Sequence, residues 1–392
     1  MPAYASGLSE HPTPAVAVGE VVGQVLERLD GEPDLALLFV TPPHAGALED
    51  AAYTVRKALR PGTLLGCAAV SVVGGGREVE FEPAVSLWAG RTGPVDAFHL
   101  TTVETPDGRT FTGWPDTVPD DASALLLIAD PYSFPVDDLL ERLAADRPGL
   151  PVVGGMASAA NHPGGNRLVL DDEVLTSGAV GAFLGPGVTV TTVVSQGCRP
   201  VGNPYVITRA ERNVVYELAG KPALERLQEV AGSLSDDDRE LLARFVHMGR
   251  VIDEHKIDFG RGDFLTRNVL GADTRAGALV VNDMVEVGST AQFQVRDAES
   301  ADEDLRQLMR DRSAQAALLF TCNGRGRQLF GRPDHDARAV SESLPGAALA
   351  GMFCAGELGP VGGRNFVHGF TASVVLLSTE RVMDTARQEA SP

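Results

Sequence analysis

The sequence predicts an α/β (α+β) protein of mixed β-sheets layered with helices, built from one unit used three times. Three observations carry this reading. Short apolar runs of strand type stand at Leu35–Val40, Ala124–Ala129 and Ala317–Thr321, and each is followed by a segment with helical spacing of its apolar residues. Each helical segment stops at a Pro-Gly pair, at Pro61-Gly62, Pro148-Gly149 and Pro345-Gly346. A second glycine-bearing run, a Gly-rich turn and a further strand then close each copy.

In the first copy the helix spans Leu48–Leu59 and the second strand lies at Leu64–Cys67. The turn falls at Gly74–Gly76, and the last strand in the alternating run Val79–Leu87. The second copy has its helix at Val136–Ala145 and its second strand at Val152–Gly155. Its turn is at Pro163–Gly165, with strands near Arg167–Leu170 and Ala179–Leu184. The third has its helix near Asp336–Ser343, the run Leu349–Met352, the turn Gly362-Gly363 and the strand Thr371–Leu377. Strand–helix–strand gives a parallel pair, and strands flanking a Gly turn give an antiparallel hairpin.

The stretch between the second and third copies differs. Val188–Val194 is β-branched and reads as a strand, and Tyr205–Thr208 with Asn213–Leu218 reads as a hairpin. One helix starts near Pro222, with proline in its first turn. Another starts at Ser235, with Asp236–Asp238 where the helix dipole favours negative charge. Ala278–Met284 and Gln292–Arg296 are strand-like, and the helix Asp302–Met309 leads into the third copy. The tails Met1–Pro12 and Gln388–Pro392 are expected to fray.

Composition limits the function. The 392 residues are 44% hydrophobic and 22% charged, as in a globular chain. Against 33 Lys and Arg stand 53 Asp and Glu, a net charge of −20, which argues against nucleic-acid and anionic-membrane partners. No apolar run reaches the roughly 18 residues of a membrane span, and no secretory leader is visible, so a cytoplasmic location is expected. Cys67, Cys198, Cys322 and Cys354 lie far apart with no CxxC pair, which reads as reduced thiols. The dense groups Asp253-Glu254-His255 and Asp334-His335-Asp336 look like loop and helix-start charge, and no metal is expected. There is no Walker A sequence and no GxGxxG between strand and helix, so no cofactor is expected.

The chemistry-bearing residues fall in Gly-rich stretches that mostly follow strands: Leu65–Cys67, Gln196–Gly202, Thr321–Gly326 and Phe353–Asn365. Glycine there permits close backbone approach to a ligand, and strand ends with arginine make an anion-sized concavity. The candidate ligand-binding residues are Cys67, Gln196, Cys198, Arg199, Asn323, Arg325, Cys354, Glu357, Arg364 and Asn365. Arg199, Arg325 and Arg364 would grip a carboxylate through paired N–H donors. Glu357 would take an ammonium group, and Gln196, Asn323 and Asn365 would orient the ligand.

Four motifs, QGCRPVG (196–202), NVVYELAGKPALERL (213–227), CNGRG (322–326) and GMFCAGELGPVGGRNFVHGFTAS (351–373), closely resemble the FIST family. The resemblance implies a FIST N-like domain over 35–210 and a FIST C-like domain over 211–378. These are flanked by a tail and helix at 1–34 and a tail at 379–392. Together with the repeats, it implies an αββα-type sandwich. It also implies a bacterial sensory region of signal transduction that binds amino acids or related small metabolites. With about 35 residues before the first strand and about 15 after the last, an added output domain is not expected, and output would pass to a separate signalling protein. Two alternatives follow from the same residues. One is a protein-interaction adaptor. The other is a cysteine-dependent enzyme, in which Cys322 or Cys354 would need a lowered pKa and a base near Glu357, Arg325 or His368.

Overall fold

The three units are present in the computed structural model, which describes residues 3–379 apart from 107 and 117. In the first, Leu35–Val40 and Thr63–Ala68 pair in parallel across the helix Leu48–Leu59, and Val85–Gly90 returns antiparallel to the first strand. In the second, Ala124–Ala129 pairs with Val152–Met156 across the helix Val136–Asp146, and Ala179–Leu184 returns. In the third, Ala316–Cys322 pairs with Ala348–Cys354 across the helix His335–Ser343, and Thr371–Thr379 returns. Each unit also has a leading strand antiparallel to its last one: Tyr4–Ser9, Ala97–Thr105 and Val188–Gln196.

The hairpins are exchanged in a ring. The first unit's hairpin, Ser71–Gly74 with Arg77–Glu80, joins the third unit's Ala348–Cys354. The second unit's hairpin, Leu168–Leu170 with Glu173–Leu175, joins the first unit's Thr63–Ala68. The third unit's hairpin, Glu357–Val361 with Arg364–His368, joins the second unit's Val152–Met156. No unit completes its sheet alone.

The inner faces of the three sheets share one core. Residues i, i+2 of each strand point to it, including Leu37 and Phe39, Leu126 and Ile128, and Leu318 and Phe320. The alternate residues pack outward on helices: Pro14–Leu26 and Leu48–Leu59 in the first unit, Val136–Asp146 in the second, and Ala298–Met309 with His335–Ser343 in the third. Through any two sheets the layering is therefore α–β–β–α.

The same glycine closes each parallel pair. Gly66, Gly154 and Gly351 sit opposite Leu38, Leu127 and Leu319. A Cβ there would lie 1.9, 2.0 and 1.9 Å from the facing leucine's carbonyl oxygen, so the backbones approach as only glycine allows. Gly351→Ala is expected to lower stability by at least about 2 kcal/mol, read as the urea midpoint. An unchanged midpoint would show that the strands can separate freely there.

Between Val188–Gln196 and Ala316–Cys322 the third unit carries an inserted body. Its strands run in the order Thr290–Arg296, Tyr205–Glu211, Val214–Leu218, Ala278–Val281, Phe264–Asp273 and His247–Val251, and the last also pairs with the first, closing a ring. Helices Ala223–Ser233 and Asp236–Arg244 lie against it around Ile207, Val215, Leu279 and Phe293. The domain boundary expected near residue 210 falls inside the Tyr205–Leu218 hairpin of this body.

Some expectations need correction. Tyr4–Ser9 is a paired strand rather than frayed, because it completes an edge of the first sheet. The run Val79–Leu87 is two strands, split where Phe81 turns at φ 64°. The strands Ala97–Thr105, Gly108–Thr112, His247–Val251 and Phe264–Asp273 are additions to the sequence reading. The expected fraying at Gln388–Pro392 lies outside the described residues.

Candidate functional site

The repeat itself locates an anomaly. Counting three residues on from the leucine that faces the conserved-register glycine, the strand ends are Thr41, Asp130 and Cys322. Thr41 is satisfied by the backbone of Ala84, accepting its N–H at 2.7 Å. Asp130 accepts from Asn166 at 2.9 Å and from Ser133 at 2.6 Å. The third corner stays open, and the inserted body lies over it.

Two cavities of about 490 and 630 Å³ meet there, sharing Asn268, Gly324 and Phe370. The smaller is lined by Cys322, Asn323 and Cys354 from the third unit, Met156 and Asp137 from the second, and Thr266, Arg267 and Asp283 from the inserted body. The larger is lined by His247, Arg296, Phe245 and Leu270, with Gln328 from the third unit.

Phe370 lies where the two cavities join. It turns the chain from the exchanged hairpin into the last strand at φ 64°, a costly conformation for a bulky residue. Its carbonyl accepts the Gly197 N–H at 2.9 Å and Arg325 Nη1 at 3.4 Å, which holds the turn. Its ring meets His247 edge-on at 4.6 Å and lies 5.0 Å from the Arg296 guanidinium.

Buried polar atoms without partners gather around the cleft. They include Arg296 Nε and Asn323 Oδ1 in the cavity walls, and Gln196 Oε1 and Gln294 Nε2 behind them. Gln294 pairs in register with His247 and accepts from Thr266, while Gln196 and Glu357 both border Thr371. Native proteins pair the large majority of such atoms, and each one left bare costs about 1–3 kcal/mol.

Burial pushes the Glu357 carboxyl up to about 8, even though Oε2 accepts the Thr371 hydroxyl at 2.7 Å and its N–H at 3.2 Å. The Cys322 thiol stands beside it. Burial also pushes Cys322 up to about 12 and Cys354 well above its ordinary value, so both meet the cavity as thiols at neutral pH. A nucleophilic cysteine needs the opposite shift. His247 is pushed down to about 4 by burial and by Arg296.

Arg296 has no ion-pair partner among the described residues. One guanidinium nitrogen donates to the Gly324 carbonyl, and burial pulls its pKa down. An arginine in this condition, lining a cavity, suits an incoming carboxylate.

The structure brings together Asn323 and Cys354 in the cavity wall, with Gln196, Cys198 and Glu357 behind it. Cys198 is the register partner of Arg296. The other predicted residues are engaged elsewhere. Arg325 is wholly buried, with Nε and Nη2 on Asp336 at 2.6 and 2.8 Å. Arg199 bonds Asp238 and Asp297, the latter at 2.8 Å. Arg364 lies exposed on the exchanged hairpin over Phe366. Asn365 clasps Val152 N–H at 2.9 Å and Leu150 C=O at 2.8 Å, tying that hairpin to the second unit. Cys67 is equivalent to Met352, not to Cys354, and packs against it in the central core at 3.1 Å. Sequence reasoning missed Arg296, His247, Gln294 and Phe370. Of these, only Phe370 lay inside a motif already singled out.

Comparison with known proteins gives two kinds of match. The FIST N domain family model matches residues 34–221, and the FIST C domain family model matches 223–360. An uncharacterized protein of Mycobacterium tuberculosis is 45% identical over 378 residues, covering 94% of this chain and 98% of the relative. An uncharacterized protein of Mycobacterium bovis is 44% identical, covering 94% and 97%. The cleft draws on both matched regions, with Asp137 and Met156 from the first and Thr266 to Cys354 from the second.

Proposed function

Because the chain belongs to the FIST family, whose domains are signal-transduction domains, we propose that it is a sensory protein for a small carboxylate metabolite, an amino acid or close analogue. The observation that supports this is the buried Arg296, which lines the larger cavity with no carboxylate partner among the described residues, with the unpartnered Asn323 Oδ1 in the wall of the adjoining one. A bound ligand supplies what the fold withholds. Its carboxylate meets Arg296, and its other polar groups meet Asn323, with Gln196 and Gln294 in the layer behind. The ligand shifts the junction between the inserted body and the three-sheet core, and a separate signalling protein reads that change. Among the described residues no helix is long and apolar enough to cross a membrane, and the four cysteines are free, which suits a cytoplasmic sensor.

A thermal-shift screen of the full chain against the amino acids and small organic acids tests this. A ligand at about 100 times its Kd stabilises by about 2.7 kcal/mol. At about 2–4 °C per kcal/mol for a chain of this size, that is a shift of several degrees. Arg296→Ala is expected to abolish the shift and Arg296→Lys to weaken it, while Arg199→Ala leaves it in place. A flat screen, or a shift retained by Arg296→Ala, would overturn the assignment.

A further inference from the structure

We propose that Cys322 and Cys354 form a two-coordinate site for a soft monovalent metal ion, Cu(I) or Ag(I), in the wall of the smaller cavity. The two residues are direct register partners at the ends of parallel strands. Both follow the inward-facing alternation of their strands, Leu318-Phe320-Cys322 and Ala350-Met352-Cys354, so both thiols leave the sheet on the same side. Both line the cavity.

The pair belongs to the open corner alone. At the two equivalent corners the matching residues are Thr41 with Ala69 and Asp130 with Ala157, which offer no thiol. A second observation points the same way. Glu357, which is 0% exposed, stands within hydrogen-bond reach of the Cys322 thiol.

The chemistry of the donor set selects the metal. Among the described residues no group of three or more His, Cys, Asp or Glu side chains is disposed to hold one ion, so the tetrahedral shell of zinc is not available. Two thiolates alone suit a soft ion that accepts linear coordination. Binding would replace two S–H bonds by two metal–sulfur bonds and release two protons, leaving a complex of charge −1. Arg296 and Arg325 both act electrostatically on Cys322 and would offset that charge. This inference uses the same cleft as the carboxylate reading but does not depend on it.

The test is an anaerobic titration of the reduced full-length chain with Cu(I) against a chromogenic Cu(I) chelator, with native mass spectrometry for stoichiometry. One ion per chain is expected to survive competition. Cys322→Ser and Cys354→Ser should each abolish it, while Cys67→Ser and Cys198→Ser retain it, all four being checked for unchanged melting. Failure of the unmodified chain to hold Cu(I) against the chelator would overturn the proposal without any variant. So would equal loss in Cys198→Ser. The amino-acid thermal shift is measured on metal-free protein, so either reading can fail alone.

Discussion

Asp336→Ala is expected to destabilise the protein by about 3–5 kcal/mol, because it strands a buried guanidinium. Arg325 and Asp336 are both wholly buried and joined by two hydrogen bonds of 2.6 and 2.8 Å. Burial works against both charges. For Asp336, the Arg325 cation and the His335 ring more than offset it and hold the carboxyl well below the usual range. Thr321 Oγ1, at 2.7 Å, completes its shell. With Asp336 gone, another buried carboxyl that acts on Arg325 is Glu78, which burial and Asp336 together push up to about 8. Removing Asp336 takes away part of that push, so Glu78 can ionise and take over some of the pairing. The loss should therefore be larger at pH 6 than at pH 8. Urea unfolding at both values checks this. A paired replacement, Arg325→Met with Asp336→Leu, should cost less than Asp336→Ala alone. A loss under about 1 kcal/mol for the single change would mean that Arg325 finds solvent or another anion.

The second large effect is on the pH dependence of stability. Glu357 and Glu78 are both raised to about 8, chiefly by burial. Each contributes stability that is complete below the unfolded value of 4.5 and is lost as pH rises towards 8, because unfolding then releases a proton. His247 and His368 are lowered to about 4, again chiefly by burial, so their contribution is complete above 6.5 and is lost as pH falls towards 4. Between pH 4.5 and 6.5 the two pairs oppose each other and stability is nearly flat. Above 6.5 the two histidines no longer contribute, and stability should fall by about 2 kcal/mol for each of Glu357 and Glu78 by pH 8. Glu357→Gln removes one of the two contributions and should halve the alkaline slope in a series of melting curves. A profile that rises from pH 6.5 to 8 would show that Glu357 and Glu78 are ionised in the folded protein.

Much of the fold was readable because it is written in local terms. The strand and helix periods, the Pro-Gly stops and the glycines at 66, 154 and 351 respond to sterics within a few residues or between adjacent strands. The triplication followed from those marks. The missed strands are of a different kind. Ala97–Thr105 and Phe264–Asp273 are half exposed along much of their length, so no apolar run announced them.

The candidate site was legible as a neighbourhood and not as a set of partners. The CNGRG and FCAGEL stretches did mark the open corner, since Cys322, Asn323 and Cys354 line it. Arg325 and Arg199 were plausible anion partners until their own carboxylates were placed. Arg325 finds Asp336, and Arg199 finds Asp238 and Asp297, the last 98 residues away in the chain. Arg296 carried no motif, yet it lines the cavity with no ion-pair partner among the described residues. By itself, then, the sequence determined the repeated unit, its strand–helix–strand order and the corner rich in thiol and amide groups. Only the tertiary structure decided which sheet each hairpin joins, how the inserted ring closes and which charges are neutralised. Those outcomes depend on pairing and desolvation between residues far apart in the chain, and no local pattern encodes them.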